Sequence, residues 1–207
     1  MDSDTALGEI AGVEYLINGT YTKILGTYDT STYAGANWYA DIPIQAAGTQ
    51  VSYQLFTRNE SGDDYGYTGF NWNYTVIPTT VYVDDDFTSD TPGWDVTHFA
   101  TIQNAITATA PGGTINVAAG TYNEIGQIVI NKDLSIVGNG AATTIIKPTS
   151  NTGSSDDARG WFLVGTQVAP DVEFNLSGVT LDGAGYNIHT AIRSWGTGII
   201  ENNVITN

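Results

Sequence analysis

The chain contains no cysteine in its 207 residues, which excludes disulfides and thiolate metal sites. Cations are almost as scarce: six Lys and Arg stand against 22 Asp and Glu, for a formal charge of −16. Phosphate recognition needs clustered cations, so a nucleic-acid role is excluded. The same imbalance opposes anionic membrane surfaces and repels polyanionic substrates unless bridging cations intervene. No apolar run reaches membrane-spanning length, and no membrane insertion is expected. The opening residues Met1, Asp2, Ser3 and Asp4 lack the basic and apolar regions of a secretory leader. With only 14% charged residues, the surface has to be built from Thr, Ser, Asn, Gln, Gly and Tyr. A polar, uncharged coat of that kind suits an extracellular or cell-surface protein, and the chain reads as a trimmed piece of one.

What is present is period-two patterning. Residues 1–12 are polar and read as a flexible lead-in. Residues 13–78 read as a small antiparallel β-sandwich. Val13 to Ile17 and Tyr21 to Leu25 flank Asn18 and Gly19, the pair favoured in tight hairpins. Trp38, Ala40, Ile42 and Ile44 alternate with Tyr39, Asp41 and Pro43. Val51, Tyr53, Leu55 and Thr57 alternate with Ser52, Gln54 and Phe56, and Phe70, Trp72, Tyr74 and Val76 with Asn71, Asn73 and Thr75. Each pattern describes a strand with one buried face. The rhythm of Tyr39 to Pro43, then Ala47 to Thr49, Val51 and Tyr53 resembles bacterial Ig-like or fibronectin-III-like modules, though without an antibody-type Cys-Trp-Cys core.

Residues 79–207 begin a second domain. Phe99, Ile102, Ala105, Ile106 and Ala110 share one face at helical spacing, which predicts a helix over 99–110. Thr101 is placed as its N-cap, and Pro111 with two glycines ends it. Short apolar runs punctuated by Gly and Asn follow to the end of the chain, as a β-solenoid requires. The segments ending at Gly183 and Asn207 align about two dozen residues apart, a plausible coil length. Residues 147–160 read as a protruding loop. One helix before so many short strands predicts a plug over the first rung's unpaired edge.

Thr101, Ile102, Gln103 and Ala105, then Pro111 to Ile115, Val117, Ala119 to Tyr122 and Glu124, resemble the opening of the pectin lyase-like superfamily. Leu134 to Gly140 and Thr143 to Ile146 continue the pattern. The resemblance covers roughly residues 81–207. Together the two resemblances imply an all-β chain: an Ig-like sandwich followed by the capped N-terminal coils of a right-handed parallel β-helix. The pectin lyase-like one implies little about chemistry, because that superfamily holds lyases, hydrolases, adhesins and inert surface proteins.

The candidate chemistry is thin. Asp84, Asp85, Asp86 and Asp90 supply oxygen ligands of the kind calcium takes, although their spacing is not that of an EF-hand loop, and solvated turns are the more usual account of such residues. Calcium there would stiffen the joint between domains. Pectate lyase relatives use an Arg or Lys base beside calcium-binding Asp residues, and polygalacturonase relatives use several Asp with a His and an Arg-x-Lys. This chain has no Arg-x-Lys, and adjacent Asp residues occur only at 63–64, 84–86 and 156–157. Asp182, His189 and Arg193 fall on adjacent coils and form the remaining catalytic candidate, as base and charge stabiliser. The plainer account, in which Asp182 closes a turn and the other two are corner residues, is preferred. Trp38, Phe70 and Trp72 sit at core spacing, whereas Tyr65, Tyr67 and Trp94 lie in polar turns and are placed as sugar-stacking contacts.

The expectation that follows is a structural or adhesive module of a secreted or cell-surface protein. Its partner is a polysaccharide or cell-wall glycan, without catalysis in this chain. Two alternatives remain open: the N-terminal portion of a polysaccharide lyase or glycoside hydrolase, and a filament subunit that self-associates through the C-terminal β-helix edge.

Overall fold

The computed structural model describes residues 10–29, 37–59 and 61–207 and is mostly β among them. The chain divides into two compact units between Val76 and Ile77.

In the first unit, β1 (Ile10–Ile17) and β2 (Thr20–Leu25) form an antiparallel hairpin. Asn18 and Gly19 both have positive φ, at 49° and 79°, which suits the right-handed twist of the flanking strands. β3 (Thr27–Asp29) and β4 (Asn37–Tyr39) make a separate two-stranded sheet. The long β5 (Gln50–Arg58) pairs with β1 on one side, and on the other with the short β6 (Asp64–Tyr65) and β7 (Trp72–Thr75).

Several expectations change here. Residues 1–9 of the lead-in lie outside the described residues, and residues 10–12 belong to β1, because the ladder continues to Ile10 opposite Arg58. The strand expected through Ile44 stops at Tyr39, before Pro43, which has no N–H to give a ladder, and Ile44 is fully exposed. Trp72, expected in the core, is exposed, and Phe70 is half-buried; the side chain of Trp38 lies outside the described residues. β5 is buried on both faces, at Val51 and at Phe56. Gly12 stands opposite Phe56, and a Cβ on it would come within 2.7 Å of that ring.

The second unit is a stack of parallel pairings. β8 (Thr80–Val83) and β9 (His98–Phe99) precede α1 (Ile102–Ala108). Then follow β10 (Gly113–Val117), β11 (Gly120–Glu124), β12 (Ile128–Ile130), β13 (Leu134–Gly138) and β14 (Thr144–Pro148). After a 3-10 turn at Asp156–Arg159 come β15 (Gly160–Val164), β16 (Phe174–Ser177), β17 (Thr180–Asp182), β18 (Thr190–Ser194), β19 (Ile200–Glu201) and β20 (Val204–Thr206). From β10 onward the chain visits three sheets in a fixed rotation. They are ordered β19-β16-β13-β10-β8-β9, β11-β14-β17-β20 and β12-β15-β18. Ile115, Ile136 and Leu176 pair in register down the first sheet and are all buried. Tyr122 and Ile146 do the same in the second, and Ile128 and Phe162 in the third. The loop expected at 147–160 is shorter at both ends, since β14 runs to Pro148 and β15 starts at Gly160.

α1 is shorter than the expected 99–110. Phe99 is taken into β9 opposite Val83, and the Thr109 hydroxyl closes the last turn on the Ala105 carbonyl. The helix buries Ile102, Ala105 and Ile106 against the core. Thr101 is its N-cap, accepting from the Asn104 amide. A second cap comes from across the fold. The buried carboxylate of Glu124 accepts from the Ile102 amide at 2.7 Å and the Gln103 amide at 3.3 Å. At the other end, Lys132 donates to the Thr107 and Thr109 carbonyls, where a cation complements the helix dipole. Between them, the Gln103 side chain accepts from the amide of Val129 in the edge strand β12 at 2.9 Å.

Glu124→Ala leaves the two first-turn amides without their acceptor and is expected to cost about 2–3 kcal/mol in urea unfolding. Matching urea midpoints for the variant and wild type would refute this role. Burial pushes the Glu124 carboxyl above its ordinary value, against the two amide bonds that pull it down. A raised folded value means that this group's contribution is fully present below the ordinary glutamate range and is lost as pH rises through the raised one. Glu124→Gln lacks that slope, so its stability relative to wild type should improve from pH 4.5 to 7.

Candidate functional site

The first parallel sheet has six strands, more than either of the other two sheets of the second unit among the described residues. Strand alternation points Val81 and Val83 inward and leaves Tyr82 outside, 45% exposed. Parallel register then aligns His98, Tyr82, Asn116, Val137, Ser177 and Glu201 in a single row crossing all six strands. Five strand spacings make that row about 24 Å long. A hollow of about 420 Å³ lies at one end, lined by Tyr82, Phe87, His98, Asn116 and Asn139 among others. A second of about 310 Å³ lies at the other end, lined by Ser135, Glu173, Asn175, Ser177 and Glu201. Val137 borders both, so the two hollows adjoin along the row, and together they are termed the groove.

The aromatic end is held by contacts that fix ring orientation. His98 stacks on Tyr82 with ring centroids 5.2 Å apart, and Phe87 meets it edge-on at 4.9 Å. The Thr97 hydroxyl lies 2.9 Å from His98 Nδ1. Gly93 has φ of 84°, and a Cβ there would come within 2.9 Å of the same nitrogen. The turn therefore needs glycine, both for its backbone and for the space His98 occupies. At the opposite end Glu173 and Glu201 sit one strand and four residues apart in the ladder, which sets their backbones about 14 Å from each other. No Lys or Arg lines either hollow.

The cations are engaged elsewhere, each with a structural partner. Lys147 pairs with Asp182 at 3.2 Å, and Arg193 pairs with Asp157 at 3.1 Å while lying over the Trp195 ring. The Arg159 guanidinium donates to the Ser154 carbonyl, and Lys132 caps α1. Lys23 and Arg58 converge on Asp64 in the first unit.

The candidate residues from sequence are thus dispersed. Asp182 accepts from the Ala184 amide and closes the turn after β17, as well as pairing with Lys147. The His189 amide donates to the Thr152 hydroxyl. No hydrogen bond or ion pair joins Asp182, His189 and Arg193 to one another among the described residues. Asp84 accepts from the Asp86 amide and Asp85 from the Thr121 amide, while the Asp90 amide donates to Thr88. Among the described residues no three His, Asp or Glu side chains converge in a group able to hold a metal ion. Trp94 is half-buried, with its backbone bridged to His98 beside the groove. Tyr65 and Tyr67 are exposed in the first unit, and Tyr67 stacks on Phe56 at 6.0 Å and hydrogen-bonds Lys23.

Sequence reasoning missed Tyr82, Phe87, His98 and Val137. A signal existed for Tyr82, in the alternation of Val81, Tyr82 and Val83; for the row as a whole there was none, because it depends on register between coils.

No protein-family model, curated protein or solved structure matches this chain.

The Arg58 guanidinium and then the Lys23 ammonium hold the Asp64 carboxyl down at about 2. A depressed value means that its contribution is present above the ordinary aspartate range, near 3.8, and is lost as pH falls toward 2. A carboxyl-carbon NMR titration of Asp64 should therefore turn near pH 2, and a midpoint near 3.8 would refute the three-residue cluster. Asp64→Asn should abolish the corresponding acid limb in thermal melts.

Proposed function

We propose that this chain is a non-catalytic, carbohydrate-associated structural or adhesive module of a secreted or cell-surface protein. The groove on the first parallel sheet is the surface that would take the glycan. The observation that carries this reading is its lining: an aromatic cluster at one end and neutral amides and hydroxyls along the row. Aromatic faces suit the C–H-rich face of a sugar ring, and the amides and hydroxyls suit its edge. Without Lys or Arg in the groove, and with Glu173 and Glu201 at one end, a neutral polysaccharide is favoured over a polyuronate.

In fold terms we read the second unit as the N-terminal coils of a right-handed parallel β-helix of the pectin lyase-like kind, plugged by α1. The rotation of the chain through three parallel sheets supports this, as do the roles of Thr101, Gln103, Ala105 and Glu124. The first unit is read as an Ig-like module on its antiparallel hairpin and long central strand. The lyase or hydrolase alternative receives less support, since no Lys or Arg lines the groove and the cations of the chain are engaged elsewhere.

Titration calorimetry with neutral oligosaccharides should give binding that weakens about tenfold in Tyr82→Ala, the loss expected for one stacking contact of roughly 1–1.5 kcal/mol. Equal affinity for the variant, or preference for oligogalacturonate, would sink the groove reading. New reducing ends or unsaturated uronate absorbance on incubation with polysaccharides would instead establish an enzyme.

A further inference from the structure

The first unit carries a separate exposed aromatic surface. On β5 and β7, Tyr53 stands opposite Trp72 and Val51 opposite Tyr74. The Tyr53 and Trp72 rings stack at 5.7 Å with an interplanar angle of 23°, and Tyr74 meets Tyr53 edge-on at 6.4 Å. Trp72 is 40% exposed and Tyr74 41%. The same face continues through exposed Leu55 into an apolar hollow of about 370 Å³, where Tyr39 forms another wall. Four large side chains, Tyr39, Leu55, Trp72 and Tyr74, are exposed on it, three of them aromatic.

Two features define what fits it. First, the patch is uncharged, and both cations of the unit lie on the opposite face of the sheet. There Lys23 and Arg58 pack over the Phe56 ring and pair with Asp64. Second, the Trp72 indole N–H and the hydroxyls of Tyr39, Tyr53 and Tyr74 have no hydrogen bond to another described residue. A purely apolar partner would bury those donors unpaired, at a cost. A pyranose ring presents a C–H face for the rings and hydroxyls at its edge for the donors.

We propose that the face formed by Tyr39, Tyr53, Leu55, Trp72 and Tyr74 is a second glycan-docking surface, selective for neutral pyranose chains. It shares no residue with the groove of the second unit and stands or falls separately. The probes are β-1,4-linked hexaoses of glucose, xylose and mannose, with oligogalacturonate as the charged control, titrated into the full chain by calorimetry. At least one neutral hexaose should bind. Trp72→Ala should weaken it at least tenfold and Tyr74→Phe, which removes only a hydroxyl, a few-fold. Trp72→Phe keeps a stacking ring and should retain part of the affinity, which guards against misreading a variant that fails to fold. Tyr82→Ala should leave this component unchanged, so a loss confined to Tyr82→Ala overturns the patch and spares the groove. The proposal is also overturned if no neutral hexaose binds, if Trp72→Ala and Tyr74→Phe bind like wild type, or if oligogalacturonate binds as well as the neutral chains.

Discussion

The second unit depends on covering the first rung of its parallel sheets. A stack of strands leaves amides and apolar side chains open at its end, and both must be satisfied at once. α1 does this with few residues. Ile102, Ala105 and Ile106 close the apolar interior, while Gln103 takes the amide of Val129 on the edge strand. The helix is only seven residues long and has little stability of its own. Glu124 and Lys132, from the strands and turns that it covers, satisfy its two ends. Plug and rung therefore stabilise each other, and neither has its polar groups satisfied alone.

The scarcity of cations acts through the same logic. With six Lys and Arg in the chain, each has a structural partner: a helix end, a loop carbonyl or a carboxylate. The groove and the aromatic face are consequently left without positive charge, and stacking and neutral hydrogen bonds are what they offer. A strongly acidic protein of this composition is set against polyanionic ligands by electrostatics before any detail of shape is considered.

Much of the fold was legible residue by residue. The positive φ at Asn18 and Gly19 follows from the sequence pair itself, and Thr101 caps the helix that its position announces. The inward valines and isoleucines of the second unit follow from alternation. Glu124 entered only as a residue of the resemblance, and its role was not legible, because the amides it accepts from are 22 and 21 residues away and belong to a different element. Trp72 misled for a local reason: its alternation is that of a buried face, but no layer among the described residues covers it there. The sites were less legible still. Asp182, His189 and Arg193 lie close in sequence, yet Lys147 and Asp157, both from earlier in the chain, take up Asp182 and Arg193.

Sequence by itself determined the strand faces of the second unit, the tight hairpin, the position of α1 and the scarcity of positive charge. These follow from local sterics, side-chain period and composition, each of which acts within a few residues or over the whole chain. Tertiary structure alone decided which outward side chains share a groove. Leu134 sits opposite Gly113, 21 residues back, whereas Phe174 sits opposite Leu134, 40 residues back. Loops of unequal length hide that register from the sequence. The ladder of hydrogen bonds between coils restores it, and with it the row from His98 to Glu201.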